Sequence, residues 1–486
     1  MTQGAINRAP TEQMSFKPVF LATDLLIFLL LLGMGGFVWM VRRKEHLRAP
    51  WRRVAQSKSG VMSLTVLLFF VVVGLLDTLH FRPLVETKSA QEKNYSVEVL
   101  SVLDVIAEPL RKRVEKTYSA PFASHLYAKE TVELAGGGQA REFPRLKYGG
   151  AHLADPESEW LGDVLRRGAL GAAAGLLCWL MFAATLVLWV ARQAHQTFSA
   201  SLGRVLRGQT DVPWQVVLAT LAVLSVLMGA AIFLLPYYHL LGTDKVGQDV
   251  LYLSLKSIRT GLVIGTLTTL VMLPFALLLG IMAGYFRGWV DDVIQYVYTT
   301  LSSIPGVLLI AASVLMAQVY MEKNADLFDT IAARADFRLL FLCIILGVTS
   351  WTGLCRLLRG ETLKLREMEY IQAAHAFGVS HWRIISRHIL PNVMHIVLIT
   401  TVMEFSGLVL AEAVLSYVGV GVDPSMISFG TMINAARLEM AREPMVWWAL
   451  LSAFGFMFVL VLCANLFADA VRDAFDPRVM MKARGT

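Results

Sequence analysis

Leu25-Leu-Ile-Phe-Leu-Leu-Leu-Leu32 is an unbroken run of large apolar residues with no alternation. A strand with one wet face alternates, and a membrane β-barrel does so over roughly ten-residue segments. This run does not, and it lies within a longer apolar block, 19–41. A bilayer core of about 30 Å takes about 20 residues of helix. Lipid offers backbone amides no partner, so only helices and closed barrels cross it. The block therefore reads as a membrane helix. So do 61–79, 169–191, 214–236, 258–284, 292–318, 338–358, 393–417 and 446–470. The expected fold class is an all-α polytopic membrane protein with about nine transmembrane helices and a small outer domain.

Composition agrees. The 486 residues are 56% apolar and 17% charged, against about 45–50% and about 25% in an ordinary soluble domain. That excludes a disordered chain, a disulfide-stapled secreted module and a typical cytosolic enzyme. Cys178, Cys343, Cys355 and Cys463 all fall in apolar blocks and form no C-x-x-C pair. Neither a disulfide framework nor a zinc site is indicated. His195, His239 and His375 read as isolated, so no metal site is expected. The net charge of +7 is modest and marks cytoplasmic loops rather than a nucleic-acid surface.

Arginine and lysine set the direction. Loop 42–60 carries Arg42, Arg43, Lys44, Arg48, Arg52, Arg53 and Lys58 against Glu45 alone, so it is read as cytoplasmic. Counting from it places the N-terminal tail (Arg8, Lys17) outside. Stretch 82–168 is then also outside, and 192–213 (Arg192, Arg204, Arg207) inside. The C-terminus, with Arg472, Arg478, Lys482 and Arg484, is inside as well. Block 19–41 is too long for a signal-peptide core and reads as an uncleaved helix.

The outer stretch 82–168 mixes acids and bases. Val97 to Lys116 has helical spacing, with Pro109 able to kink or split it; Gly136-Gly137-Gly138 breaks structure further on. The stretch is near the lower size limit for folding alone, so it is a docking domain or a stabilising insertion. In the second insert, Met321 to Arg338, Asp326 to Ala335 predicts a short helix. Ser428 to Arg442 predicts an amphipathic helix along the outer face, with Met432, Ile433, Ala436 and Met440 towards lipid or protein.

Glu361 to Asn392 lies inside. Good helix formers run to Phe377, with Tyr370, Ala374 and Phe377 at helical spacing. Gly378 suits a left-handed helix end, and Ser380 can cap a second helix through Trp382, Ile385 and Ile389 that stops at Pro391. Ala373 and Ala374 allow another surface to approach closely, flanked by Glu369, Arg383 and Arg387. The bland alternative is a solvated loop packed on its own bundle. However, Glu369-Tyr-Ile-Gln-Ala-Ala-His-Ala-Phe-Gly378 followed by Ile389-Leu-Pro391 resembles the E-A-A…G…I-L-P loop of binding-protein-dependent ABC importer permeases.

Further stretches match that family in order. His239-Leu-Leu-Gly-Thr-Asp244…Gly247-Gln-Asp249 is similar to the G-T-D-x-x-G-R-D segment of the dipeptide/oligopeptide C-type subunits, with Gln248 in place of the usual Arg. Ala283-Gly-Tyr285 with Gly288 and Asp291 resembles the family's cytoplasmic turn. Leu410-Ala-Glu412-Ala-Val-Leu-Ser416-Tyr-Val-Gly419 and Asn465 to Arg478 resemble its later signatures. The resemblance covers roughly 236–478. It implies a type I ABC importer permease core over 258–478, entered through a linking helix and G-T-D segment at 214–257. Residues 1–213 form an N-terminal extension.

The resemblance implies that loop 361–391 is the coupling element, with Glu369, Ala373, Ala374, Gly378, Arg383 and Pro391 at its contact with an ATPase. It also implies two ATPase subunits, a second permease subunit, a periplasmic substrate-binding protein and a place in a bacterial inner membrane. A phosphate-cradling Walker loop needs Gly-Lys; the chain has no such pair. ATP and Mg would therefore bind the partner, leaving no cofactor and no catalytic residue here. Among acids inside spans (Asp24, Glu404, Glu412, Asp469), Glu404 and Glu412 project about 80° apart on one helix. They line a translocation path or make helix contacts, with Glu412 partly wet at the outer end. Peptides are the expected cargo. The alternatives are an ion-driven secondary transporter, which would show inverted repeats, and a membrane scaffold acting through its outer domain.

Overall fold

The computed structural model describes residues 16–43, 45–85, 94–133, 139–328 and 330–475. Arg8, Lys44, the Gly136–Gly138 break, the Asp476–Arg478 end of the last signature, Lys482 and Arg484 lie outside the described residues. Strand β1 (Phe16–Val19) leads into α1 (Ala22–Arg43), α2 (Glu45–Gln56) and α3 (Lys58–Thr78). The outer segment holds β2 (His80–Val85), β3 (Asn94–Tyr95), β4 (Leu100–Ser101), α4 (Val102–Ile106), α5 (Glu108–Lys112), β5 (Glu130–Glu133) and β6 (Gln139–Glu142). Then come α6 (Pro156–Gln193), α7 (Phe198–Leu206) and α8 (Trp214–Leu234). The remaining helices are α9 (Val250–Phe286), α10 (Trp289–Ser303), α11 (Gly306–Lys323), α12 (Ile331–Arg366), α13 (Glu369–Ala376), α14 (His381–Ile384), α15 (Leu390–Tyr417), α16 (Phe429–Glu439) and α17 (Trp448–Phe475).

Among the described residues, eight helices are long and apolar enough to cross a bilayer. They are α1, α3, α6, α8, α9, α11, α15 (with α14) and α17. α12 makes the ninth. It runs alongside α9, from an Arg259–Asp336 contact of 3.7 Å at one end to an Arg287–Glu367 ion pair at the other. Those ends bracket 259–287 and 336–367, about 42 and 46 Å of helix at 1.5 Å per residue, more than a bilayer core. Small residues let the two helices close up. A Cβ on Gly284 would lie 2.6 Å from Thr362 Cβ, and one on Gly347 would lie 2.6 Å from Val271 Cβ. The α6–α8 hairpin is closer still, with the Cβ position of Gly175 2.1 Å from the Ser225 carbonyl, the small-residue solution for helices in lipid.

Three sequence expectations need correction. Block 292–318 is not one span. Ile304 is extended (ψ 129°) ahead of Pro305, which splits the block into α10 and α11, because the residue before proline is driven out of the helical region. α10 is then pinned to α12 by a bidentate Asp291–Arg359 pair at 2.6 and 2.7 Å. Residues 156–168 belong to α6 rather than to a separate outer domain. Asp326 to Ala335 is a 3-10 turn followed by the start of α12, not a helix of its own.

The outer ends of the spans carry a buried ionic cluster. Arg259 Nη2 donates to Asp24 Oδ1 at 2.7 Å, His80 Nδ1 lies 2.8 Å from Asp24 Oδ2, and Thr23 N donates to Asp336 Oδ2 at 3.0 Å. One turn earlier on α9, Lys256 Nζ contacts Asp77 at 2.7 Å and Asp104 at 3.0 Å. The cluster joins α1, α3, α4, α9 and α12.

Among the described residues, the outer segment shares its buried side chains with the spans. β1 and β2 pair antiparallel (Phe16 with Pro83, Val19 with His80), and β3 and β4 pair with β2. Pro109 takes an early helical position in α5, so the expected helix is split in two. Ala107, Leu110 and Tyr118 are buried against Tyr252, Met432 and Trp448, from α9, α16 and α17. The segment solves its small size by sharing the core of the spans.

Its anchor is ionic. Glu115 accepts the backbone N–H groups of Lys147 (2.9 Å), Tyr148 (2.7 Å) and Gly149 (3.2 Å), and lies 3.4 Å from His239 Nε2. His239 Nδ1 is 2.8 Å from Asp249 Oδ2, while Asp249 Oδ1 caps α9 at Leu251 N. Burial opposes a charge on the imidazole, but the Asp249 and Glu115 carboxylates outweigh it and hold its pKa up to about 9. A raised pKa adds stability that is complete below the unfolded value of about 6.5. That stability is lost as pH rises through about 9. The thermal midpoint of the purified chain is therefore expected to fall between about pH 7 and pH 10. His239→Gln should flatten that slope, and an equal slope in the variant would refute the assignment.

Candidate functional site

The two-helix loop that the charge pattern reads as cytoplasmic is built as its residues require. α13 ends where Gly378 turns left-handed (φ +73°). Gly378 N and Val379 N donate to the His375 and Ala374 carbonyls at 3.0 and 3.1 Å, satisfying two carbonyls at the helix end. The underside is apolar. Ile371, Ile384 and Ile389 are fully buried with Tyr285 of α9, and with Leu354 and Leu358 of α12. The loop is thus a rigid knob seated on the inner ends of the spans.

The other face is open. Glu369, Ala373, Gly378 and Arg383 are exposed and Ala374 is half-buried. The sequence puts Phe377 and Trp382 at helical spacing without saying which way they face. The structure turns them out, at 87% and 74% exposure. Each flanks the Gly378 corner, where the change of chain direction resets which face points inward, and helical spacing gives no sign of that. The knob therefore offers two bare aromatics beside small Ala373, an acid and a base, which is the composition of an interface core rather than of a solvated loop.

Pro391 does not stop the second helix. α14 passes through a π-helical turn, Ile385–Ile389, straight into α15, with Pro391 in the first turn of α15. Proline is tolerated there, and the wider turn absorbs the backbone bond its ring cannot make. The knob is thus continuous with α15 on one side and joined to α12 through Glu367 and Met368 on the other.

A third connection was missed because its parts read as isolated. The Tyr285 hydroxyl lies 2.8 Å from His375 Nε2 on α13 and 2.8 Å from His381 Nδ1 on α14. A hydroxyl can donate to one imidazole and accept an N–H from the other. One α9 side chain therefore bridges both arms of the knob. His239 is likewise paired, as described above. The only available signal was His375 and His381 lying symmetrically about Gly378.

The two membrane acids separate. Glu412 is not partly wet. It is 1% exposed and its Oε1 accepts from Ser416 Oγ (2.7 Å) and Ser428 Oγ (2.8 Å). Ser428 also caps α16 through Thr431 N at 3.0 Å, so Glu412 ties α15 to the outer amphipathic helix. Glu404, two turns below, is half-buried. Asp469 is exposed on α17. Among the described residues no group of three or more metal-ligating side chains occurs.

Residues 276–481 match the family model described as "Binding-protein-dependent transport system inner membrane component". The chain is 32% identical over 247 residues to the oligopeptide transport system permease protein OppC of Mycobacterium tuberculosis, covering 51% of this chain and 78% of that one. It is 32% identical to the glutathione transport system permease protein GsiD of Pectobacterium atrosepticum, over 50% of this chain and 73% of that one. It is 29% identical to the dipeptide permease DppC of Lactococcus lactis, over 49% and 64%. Among solved structures, the MetNI methionine ABC transporter in an inward-facing conformation aligns over 46% of this chain at 15% identity and a TM-score of 0.35, too slight a likeness to argue from.

Proposed function

This chain belongs to the family of inner-membrane components of binding-protein-dependent transport systems, and on that premise we propose that it is a permease subunit importing peptides, driven by ATP hydrolysed on a separate subunit. The observation that carries the coupling role is the knob. Its exposed face, with Phe377 and Trp382, is rigidly continuous with α12 and α15 and bridged to α9 by Tyr285. A push on that face moves three spans together. Nucleotide binding on a docked ATPase can shift the permease between outward and inward access only by gripping the two states unequally, and the knob is the surface available for that grip.

In this reading two ATPase subunits, a second permease subunit and an external substrate-binding protein complete the importer, in a bacterial inner membrane. ATP and Mg stay on the ATPases. Peptide cargo is supported by the names of the relatives. Glu404 is the acid left to face a path, and Glu404→Ala with unchanged uptake would remove it from that role.

The test is co-purification. Phe377→Asp with Trp382→Asp is expected to release the ATPase while the chain stays in the membrane at normal abundance; retained ATPase would overturn the coupling assignment. Tyr285→Phe keeps the ring and deletes the bridge. Two net hydrogen bonds are worth about 1 kcal/mol each, so uptake per ATP hydrolysed in proteoliposomes is expected to fall by about thirtyfold with the complex intact. An unchanged ratio would show that α9 takes no part in the stroke.

A further inference from the structure

The N-terminal extension holds a charged surface that the transport reading does not use. α2 is separated from α1 by one residue, and from α3 by Ser57 alone. Both neighbours are membrane spans, so α2 can lie only at the depth of the lipid headgroups on the basic, cytoplasmic side. Its apolar side is occupied. Pro50 and Val54 are buried, and Val54 packs on Val471 and Ala474 of α17. The Trp51 ring meets Phe475 edge-on at 5.6 Å. Immediately after α2, the Cβ position of Gly60 is 2.7 Å from Ala470 Cβ.

The free side is cationic. Arg42, Arg43, Arg48, Arg52 and Lys58 are all exposed. Arg43 stacks its guanidinium 3.7 Å over the exposed Trp39 ring, an aromatic at interface depth. Arg53 Nη1 is buried without a hydrogen-bond partner. The ion pair of Arg52 with Asp211, at 3.2 Å, leaves its two side chains 64% and 79% exposed, so it is weak. Residues 42–60 contain seven Lys or Arg against one acid.

We propose that α2 and the adjoining ends of α1 and α3 form a binding surface for anionic phospholipid headgroups of the inner leaflet. Guanidinium groups take phosphate oxygens in paired hydrogen bonds, and a basic cluster just inside a span is drawn to an anionic leaflet. The position of α2 between two spans favours lipid over a soluble acidic protein, because the headgroup layer is already in contact with this face. Occupied headgroups would hold α2 against α17, securing the extension to the core.

The test uses the full purified chain and counts retained lipid by native mass spectrometry after exposure to equal phosphatidylglycerol and phosphatidylcholine. Phosphatidylglycerol should be retained preferentially, with the preference falling as salt rises. Arg42→Gln, Arg48→Gln and Arg52→Gln should each lower it about fivefold, whereas Arg192→Gln at the start of the 192–213 loop should not. Lysine at the same three positions keeps the charge that orients α1, and should retain most of the preference. Equal retention of both lipids by the unmodified chain, at low and high salt, overturns the proposal without any variant. So does a Gln variant that keeps the preference. Protection of these arginines by the ATPase subunit in place of lipid would assign the surface to a protein partner instead.

Discussion

Gly378→Val is expected to abolish uptake while leaving the chain in the membrane at normal abundance. The corner between α13 and α14 needs φ +73°, and nothing lies within 4 Å of a Cβ built there. The effect is therefore one of backbone conformation, not of a clash. A left-handed residue costs an L-amino acid about 1–2 kcal/mol, and a β-branched one is an outlier there. Relieving that strain swings α14 relative to α13, which separates Phe377 from Trp382 and pulls His375 and His381 off Tyr285. Uptake in whole cells should fall more than tenfold. Gly378→Asn, which tolerates the left-handed region, should keep most of it. Equal loss in both variants would mean that the corner serves some other purpose, and equal activity in both would mean that its geometry does not matter.

Arg259→Met is expected to give the largest loss of stability. The Arg259 guanidinium is 5% exposed and its partner Asp24 is 1% exposed; Asp336 is also within 3.7 Å. Removing the cation leaves the buried Asp24 and Asp336 carboxylates with His80 and Thr23 as remaining partners. Breaking a buried pair from one side costs about 3–5 kcal/mol, whereas replacing both partners with apolar groups is often neutral. The purified single variant should unfold well below the unmodified protein. Asp24→Leu added to Arg259→Met should recover part of the difference. A thermal midpoint unchanged in Arg259→Met would refute the claim that this cluster holds α1 to α9 and α12.

Much of this was legible in the residues. Apolar runs of about twenty identify spans, because lipid leaves the backbone no alternative to the helix. The basic residues of 42–60 orient them. Gly378 marks the two-helix knob, and Ser428 marks the start of α16; Ser380 sits at the N-cap position of α14 but makes no side-chain cap bond. Pro305 was also in plain view. It sits inside a block whose hydrophobicity hides the break, since average apolarity does not register a residue that merely lacks an N–H.

What chain order alone determined is local: where backbone must be helical, which side of the bilayer the basic residues favour for each loop, and where a glycine corner can form. Those follow from forces acting within a few residues or between one residue and its solvent. What only the folded chain decided is pairing: that Tyr285 meets two histidines some 90 residues away, that Glu115 and Asp249 share His239, that Glu412 serves Ser428 rather than water, and that Phe377 and Trp382 face outward. Such partners are chosen by which helices pack together. A buried charge or hydroxyl must find its counterpart among the neighbours that packing brings, and spacing along the chain carries no record of them.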